Sequence, residues 1–324
     1  MAVYTHLAAE DLAQLIAQYN VGDLVSAKGI AEGVSNSNWL IETTGGPDGA
    51  TRFILTMYER RIDISELPFF LGLLDHLAAK GCPVPRTIHD RDRAASRLIN
   101  GKAVALIEFL PGVSVDHPTT GQARNVGAVL ARMHSDALDF GQSRANNLGP
   151  SASAAVLEKC RADALATIDP RLPDMIGEAQ SIAANWPTGL PQSVIHSDLF
   201  PDNVLMRGDD VSALIDFYFA CNDAMAYDLA ITHTAWSFTD HGRSYRAEIG
   251  QAVMAGYESV RPLEPAERAA LPLLAEGACM RFIASRAEDW LSTPADALVT
   301  RKDPMDFVRR LDTYRSRGAE LFAA

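Results

Sequence analysis

The residue pattern changes once along the chain, and this change restricts its possible folds more than any other feature. Up to Phe109, short apolar or β-branched stretches alternate with turns rich in Gly, Pro and Asn. After Gly112, long segments have the apolar spacing of amphipathic helices. A sheet buries one face and a helix buries one stripe, so each part of the chain is expected to form its own packed layers. We therefore predict a bilobal α+β protein, with a β-rich lobe over residues 1–110 and a mainly helical lobe over residues 111–324.

The first lobe is predicted to be a five-stranded antiparallel sheet with one inserted helix. A helix over residues 8–19 precedes the sheet, and the inserted helix runs from Ser65 to Lys80 and ends at Gly81. Asn100-Gly101 is typical of a tight hairpin turn in which both central residues have positive φ. The strands are expected over residues 24–30, 39–44, 52–58 and on both sides of Asn100-Gly101.

Composition excludes several classes of partner and location. The 29 Lys and Arg against 41 Asp and Glu leave a net charge of −12, which repels nucleic acid and anionic lipid surfaces. No apolar run approaches the roughly 20 residues of a membrane span, and residues 1–10 do not resemble a signal peptide. The four cysteines form no C-x-x-C pair, so we expect reduced and mostly buried thiols. These features predict a cytoplasmic protein with no nucleic-acid or membrane partner.

One segment of the helical lobe carries a pattern of catalytic residue types. From His196 to Asn203 the sequence matches H-x-D-L-x-x-x-N, the catalytic-loop pattern of kinases, and Asp216 follows within Ile215-Asp216-Phe217. Phosphoryl transfer needs one carboxylate near the acceptor hydroxyl and hard oxygen ligands for Mg²⁺. Asp198 suits the first role, and Asn203 and Asp216 suit the second.

The same residues have a simpler interpretation. Asp, Asn and Pro are also common turn formers between short strands, and a small sheet is expected over residues 193–216. His196 is expected to tie the loop backbone to the core rather than to handle protons. His134 is likewise expected to be a core histidine with satisfied hydrogen bonds. The order of the loop and Asp216 favours the catalytic interpretation of Asp198.

With these motifs the chain resembles the aminoglycoside phosphotransferase and choline kinase superfamily, whose loop lacks the Arg typical of protein kinases. Ser197 stands where that Arg would be. Within the superfamily the chain is similar to the homoserine kinases, in the blocks at residues 32–39, 53–59, 66–70 and 215–223. The resemblance implies a protein-kinase-like fold and MgATP-dependent phosphorylation of L-homoserine to O-phospho-L-homoserine in threonine biosynthesis. Asp198 would be the base.

The resemblance also implies residues for ATP. A turn over the phosphates would contain Gly33, Val34, Ser35, Asn36, Ser37 and Asn38. A hinge against adenine would contain Ile107, Glu108 and Phe109. A plain hairpin turn and an ordinary core strand are the respective alternatives. Both contacts would use backbone groups, which any sequence with the right conformation supplies.

One position departs from the wider superfamily. Strand three of kinases carries a Lys that binds the ATP phosphates, whereas Thr56 stands at the matching position here. Lys28, Arg60 and Arg61 are candidates for the missing positive charge, and each is equally typical of a solvated surface residue.

The acceptor residues are inferred from the chemistry of a zwitterion. An Arg suits the carboxylate of homoserine and an acidic group suits its ammonium. Arg281 is the candidate for the first and Asp223 for the second, while Asp228 is expected to cap a helix or brace the catalytic loop. The oligomeric state is not predicted.

Two other functions are consistent with the sequence. One is a kinase of the same superfamily that acts on an amino alcohol, a thioribose or an aminoglycoside. The other is a pseudokinase that binds nucleotide without turnover, which the loss of Lys at Thr56 makes conceivable.

Overall fold

The chain divides into two compact units, Met1–Pro111 and Gly112–Ala324, in a computed structural model. The structure describes residues 7–30, 36–59, 63–293 and 301–322.

In its described residues, the first unit contains a six-stranded antiparallel sheet and two α-helices. Its elements are α1 Ala9–Ile16, β1 Leu24–Ile30, β2 Asn36–Thr43, β3 Arg52–Tyr58, α2 Leu67–Ala79, β4 Thr87–Ile88, β5 Arg97–Ile99 and β6 Lys102–Glu108. The strands are ordered β1-β2-β3-β6-β4, and β5 pairs with β6. The predicted number of five strands was wrong by one, because β4 has only two residues and is too short to show an alternating pattern.

Strand alternation places the core of this unit on one face of the sheet. Leu55 lies opposite Trp39 on β2 and opposite Leu106 on β6. These side chains pack with Ile16 of α1, and Leu55 and Ile16 have no solvent exposure. Because successive strand residues point to opposite faces, Thr56 lies on the other face.

The predicted hairpin is confirmed. Asn100 and Gly101 join β5 to β6 with φ of +51° and +78°. Two consecutive positive φ values match the twist of the flanking strands, and Asn-Gly is the pair that adopts them at least cost.

The second unit is mainly helical. Its elements are α3 Thr120–Asp136, α4 Pro150–Cys160, α5 Ala162–Ala166, α6 Met175–Ala184, β7 Gln192–Ile195, β8 Val204–Arg207, β9 Asp210–Leu214, β10 Cys221–Ala224, α7 Met225–Trp236, β11 Phe238–Thr239, β12 Ser244–Tyr245, α8 Ala247–Glu258, α9 Pro265–Ser292 and α10 Met305–Leu321. All 12 residues of α7 are buried, so this helix lies inside the unit.

The small sheet expected over residues 193–216 is only partly confirmed. The structure pairs β8 with β9 in this range, but β7 pairs with β10, which lies beyond it. The partner of β7 lies beyond residue 216, where Asn222 and Asp223 interrupt the apolar pattern of a strand. Strand pairing joins residues distant in sequence, and a local pattern does not reveal it.

The cysteines and the helix lengths agree with the composition. Cys82, Cys221 and Cys279 are buried, Cys160 is half-buried, and all four are free thiols. In the part of the chain that the structure describes, no helix is both long and apolar enough to span a bilayer.

Candidate active site

The motif from His196 to Asn203 forms the loop between β7 and β8. Asn203 holds this loop closed, because its Nδ2 donates to the backbone oxygen of Asp198 at 2.8 Å and lies 3.4 Å from Asp198 Oδ2. The backbone N–H of Ile215 donates to the oxygen of Asn203 at 3.0 Å. These bonds bring Asp198, Asn203 and Asp216 together at one end of the β8–β9 pair.

His196 ties the loop to the core, as predicted. Its Nε2 donates to the backbone oxygen of Ile215 at 3.0 Å, and its Nδ1 accepts from the N–H of Asp198 at 3.3 Å. One nitrogen donates and the other accepts, which requires a neutral ring. Burial lowers the pKa of His196, in agreement with this assignment.

Asp228 of α7 braces the loop from beneath. Its carboxylate accepts from the N–H groups of His196 at 2.7 Å and Ser197 at 2.8 Å, and from Nε2 of His134 at 2.9 Å. Burial pushes the pKa of Asp228 upward, but these donors outweigh it and hold the pKa below its usual value. Of the two roles considered for Asp228, the contacts support the brace.

His134 continues this buried network, and its prediction as a core histidine is confirmed. Its Nδ1 lies 2.9 Å from the hydroxyl of Tyr257 on α8. That hydroxyl accepts from Nη1 of Arg261, which also pairs with the buried Glu267. A chain of buried polar contacts therefore runs from the start of α9 to the catalytic loop.

The pKa values of the two buried carboxylates at the centre of the site, Asp198 and Asp216, are both raised. Burial, together with Asp198 and Asp202, raises the pKa of Asp216 to about 7. Burial also raises the pKa of Asp198, and the Arg281 guanidinium opposes this. A buried group of acidic side chains that raise one another's pKa is suited to a bound cation.

The ligand chemistry fits Mg²⁺. Nδ2 of Asn203 donates to Asp198, so Oδ1 is the side-chain atom of Asn203 that could bind a cation, and Asp216 adds a carboxylate. Mg²⁺ is commonly held by one or two protein oxygens, with water and phosphate as further ligands. Among the described residues, no group of three or more His, Cys, Asp or Glu side chains could hold a metal ion.

Arg281 and Asp223 are both engaged by protein groups. Nη1 of Arg281 on α9 donates to the backbone oxygen of Ser197 and, at 2.9 Å, to its hydroxyl. Asp223 on β10 accepts from Nδ2 of Asn146 at 2.6 Å and from the N–H of Ala224 at 2.7 Å. Of the two, Arg281 is the one brought into direct contact with the catalytic loop.

The residues predicted to form a turn over the ATP phosphates are only partly described. Gly33, Val34 and Ser35 lie outside the described residues. Asn36, Ser37 and Asn38 begin strand β2, so the expectation of a turn was wrong for them. Their pairing with Tyr58, Met57 and Thr56 on β3 fixes an extended conformation.

Side-chain contacts support this extended conformation. The hydroxyl of Ser37 donates to Glu59 at 2.8 Å, and Oδ1 of Asn38 accepts from the Thr56 hydroxyl at 2.9 Å. The Ser37 and Thr56 hydroxyls are therefore both engaged within the sheet.

The residues predicted as an adenine hinge lie at the end of β6. Ile107 and Glu108 are its last two residues, and Phe109 follows. The Glu108 carboxylate forms a two-bond pair with the Arg86 guanidinium, each bond 3.2 Å long. The Phe109 ring lies 4.8 Å from the Arg52 guanidinium carbon. The side chains of Glu108 and Phe109 thus both contact arginines, and the backbone N–H of Glu108 donates to the backbone oxygen of Arg86 at 2.9 Å.

Kinases carry a Lys at the position of Thr56. Of the three candidates for its positive charge, only Lys28 lies in the described part of the chain. Lys28 is exposed on β1, and Arg60 and Arg61 lie outside the described residues. The structure does show an ion pair between Lys102 and Glu59. Glu59 accepts from Ser37, which lies opposite Met57 on β3, so this ion pair belongs to the face opposite Thr56.

Sequence reasoning missed the direct contact of Arg281 with Ser197 and the link from His134 to Asp228. These pairs are 84 and 94 residues apart in sequence. No local pattern signals such pairs, although a His and an Asp on apolar helices are themselves a sign of buried partners.

A family described as the phosphotransferase enzyme family matches residues 26–263. A homoserine kinase from Caulobacter sp. (strain K31) is 48% identical over 332 residues, covering 100% of this chain and 99% of that protein. A homoserine kinase from Gluconobacter oxydans (strain 621H) is 47% identical, covering 98% of this chain and 99% of that protein.

Solved structures show the same fold at low identity. A spectinomycin phosphotransferase superposes with a TM-score of 0.68 at 14% identity, covering 95% of each chain. The amicoumacin kinase hAmiN gives 0.67 at 13%, covering 97% of this chain and 94% of its own. These likenesses confirm the predicted α+β fold class.

Proposed function

Because the chain belongs to the phosphotransferase enzyme family, we propose that it is a homoserine kinase. It transfers the γ-phosphoryl group of ATP to the side-chain hydroxyl of L-homoserine and forms O-phospho-L-homoserine. The observation that carries this function is 46–48% identity, over nearly the whole of both chains, to several homoserine kinases. The product implies a role in threonine biosynthesis, and the free thiols are consistent with a cytoplasmic location.

Asp198 is proposed as the base. In-line transfer requires the acceptor oxygen to be oriented toward the phosphorus atom while it loses its proton. The Asp198 carboxylate is fixed within a loop that is hydrogen-bonded on both sides, and it accepts the proton from the homoserine hydroxyl. The bonds of Asn203 to this residue support the assignment, because they restrict the position of the carboxylate.

Asn203 and Asp216 are proposed to hold Mg²⁺, and their oxygen donors support this. When bound, the ion supplies positive charge against the phosphate oxygens of ATP. The carboxylate of Asp216 is hydrogen-bonded to the backbone of Tyr218, which orients it.

For the nucleotide, the proposed contacts are backbone groups of the first unit, at residues 33–35 and at residues 107–109. For the acceptor, Asp223 stays a prediction for the ammonium. The predicted role of Arg281 at the carboxylate is taken up below. The lobe boundary after residue 110 is proposed as the division between nucleotide-binding residues and catalytic residues.

The test is ADP release from MgATP by the purified protein. L-homoserine is compared with L-serine, choline, methylthioribose and kanamycin as acceptors. We expect turnover with homoserine, and the substitution Asp198→Asn is expected to lower kcat by roughly 10²- to 10⁴-fold because it removes the base. Asp210→Asn, an exposed carboxylate at the start of β9, is the control and retains activity.

Each other outcome identifies an alternative. Turnover with a different acceptor alone would retain phosphotransfer and reject homoserine. Nucleotide binding without turnover of any acceptor would support a pseudokinase.

A further inference from the structure

We infer that Arg281 is a positioning residue that holds the catalytic loop and Asp198 in place, and that it does not bind the carboxylate of the acceptor. The inference rests on the proposed function, because it concerns how the proposed base is held. It replaces the role that the sequence predicted for this arginine.

The guanidinium is directed at two consecutive residues of the loop. Nη1 donates to both the backbone oxygen and the hydroxyl of Ser197, and Nη2 lies 3.8 Å from Oδ1 of Asp198. Bidentate recognition of a carboxylate uses a pair of adjacent N–H groups on one edge of the guanidinium. Nη1 is engaged by Ser197 and Nη2 faces Asp198, so the edge between the two terminal nitrogens is directed at the loop.

Burial and packing fix this orientation. Arg281 is only 5% exposed. Its guanidinium carbon lies 4.8 Å from the centre of the Phe282 ring and 5.6 Å from that of Phe219. Guanidinium groups stack favourably on aromatic faces, and such contacts strengthen when water is excluded. The side chain is therefore packed against two aromatic rings, with Nη1 directed at Ser197.

Ser197 is a residue that needs such support. Its φ of +69° lies in the left-handed region, which costs a non-glycine residue roughly 1 kcal/mol or more. Asp228 accepts from its N–H at 2.8 Å, and Arg281 donates to its carbonyl oxygen. The two peptide groups that flank Ser197 are thus held by opposite charges from α7 and α9. The direction in which the next residue, Asp198, leaves the loop depends on both.

Arg281 supplies a guanidinium that protein kinases have within the loop itself. The loop of protein kinases carries an Arg immediately before the catalytic Asp, where this chain has Ser197. Here Arg281, 84 residues later in the sequence, brings a guanidinium to the same point of the loop.

The test compares Arg281 with a matched arginine. Arg310 of α10 is also buried, at 8% exposure, donates from Nη1 to the backbone oxygen of Thr234 at 2.7 Å, and stacks on Phe307 at 4.3 Å. Its hydrogen bond goes to α7 and not to the catalytic loop. Arg281→Lys, Arg281→Met and Arg310→Lys are measured for thermal stability, kcat and the KM for homoserine.

We expect Arg281→Lys to lower kcat by roughly 10- to 100-fold, because a small displacement of a reacting group has effects of this size. The homoserine KM should change by less than about 3-fold, since no ground-state contact is lost. Arg281→Met should lower kcat further than Arg281→Lys, which keeps the positive charge. Arg310→Lys should lose comparable stability and keep kcat within about 2-fold.

A second acceptor separates positioning from carboxylate binding. 3-Amino-1-propanol is homoserine without its carboxylate, and it is measured as a substrate or, where turnover is slow, as a competitive inhibitor. We expect Arg281→Lys to leave the preference for homoserine over this amine unchanged. Loss of that preference, or a raised homoserine KM with kcat intact, would assign Arg281 to the carboxylate.

Equal losses of kcat in Arg281→Lys and Arg310→Lys would reduce the role of Arg281 to stability and overturn the inference. Failure of the wild-type protein to phosphorylate homoserine is a separate result. It would reject the proposed function, and the comparison of Arg281 with Arg310 would then be made with whichever acceptor is phosphorylated.

Discussion

The two units differ in how deeply they bury the polar side chains near their proposed sites. In the second unit, Asp228 has no solvent exposure and accepts three hydrogen bonds around the catalytic loop. In the first unit, the Arg86–Glu108 pair lies at the surface, with the Arg86 side chain 52% exposed. The difference follows the proposed role of each site. A base must be fixed as a side chain, whereas the nucleotide contacts that we propose at residues 107–109 are made by backbone groups.

Loss of a charged partner is expected to cost more free energy of unfolding at the buried site than at the exposed one. A buried charge that loses a partner stays unpaired in a medium that solvates it poorly. An exposed charge that loses its partner is solvated by water at little cost. Isosteric substitutions, one in each unit, therefore test this difference through the free energy of unfolding.

The largest effect is expected for Asp228→Asn. In the wild-type protein, both carboxylate oxygens of Asp228 accept from buried N–H groups. In the variant, an amide N–H₂ replaces one of these oxygens, so the N–H groups that it served lose their acceptor. We expect the free energy of unfolding to fall by about 3–5 kcal/mol, with loss of turnover, measured by urea denaturation and ADP release.

Glu108→Gln is the matched substitution in the first unit, and it should cost less than about 1 kcal/mol. Similar losses for the two variants would remove the distinction between the buried and exposed sites.

An intermediate effect is expected for Tyr257→Phe. The change removes the hydroxyl that contacts His134 Nδ1 and Arg261, while the ring stays in place. We expect a loss of about 1–3 kcal/mol in the free energy of unfolding, because buried polar groups lose a partner. Urea denaturation measures it. A loss below that of Glu108→Gln would show that the buried network ends at His134.

The smallest effect is expected at His89 in the first unit and depends on pH. Its ring nitrogens face Asp75 Oδ2 at 2.6 Å and the backbone oxygen of Arg93 at 3.1 Å. Both partners are acceptors, so the charged ring fits best. The hydrogen bond to Asp75 raises the pKa of His89 above its usual value.

A raised folded-state pKa gives stability that is present below about pH 6.5 and is lost as the pH rises through the folded value. His89→Gln should therefore lower the free energy of unfolding at pH 5.5 by no more than about 0.5 kcal/mol after solvent screening, and should have no effect at pH 8.5. Denaturation at the two pH values measures this, and a larger loss at pH 8.5 would contradict it.

Local sequence patterns predicted the elements whose causes are local. The Asn100-Gly101 turn and the end of α2 before Gly81 follow from the backbone conformations that Asn and Gly adopt easily. The loop from His196 to Asn203 was found because turn residues and chemical groups stand together in one short segment. The two-residue β4 and the pairing of β7 with β10 were missed, because neither leaves a periodic pattern.

Contacts between residues distant in sequence changed the interpretation of several polar residues. Arg281 was predicted as a ligand-binding residue from its charge, and its contacts with Ser197 appear only when α9 packs beside the catalytic loop. Asn36 to Asn38 were predicted as part of a turn, and strand pairing with β3 makes them extended.

The sequence by itself determined the change from strands to helices near Phe109, the family, and the residue types of the catalytic loop. Each depends on neighbours within a few residues, where backbone preferences and chemical identity act directly. Only the tertiary structure decided which groups hold that loop, namely Asp228, His134 and Arg281. These groups come from three helices far apart in the sequence, and their hydrogen bonds gain strength only where packing excludes water.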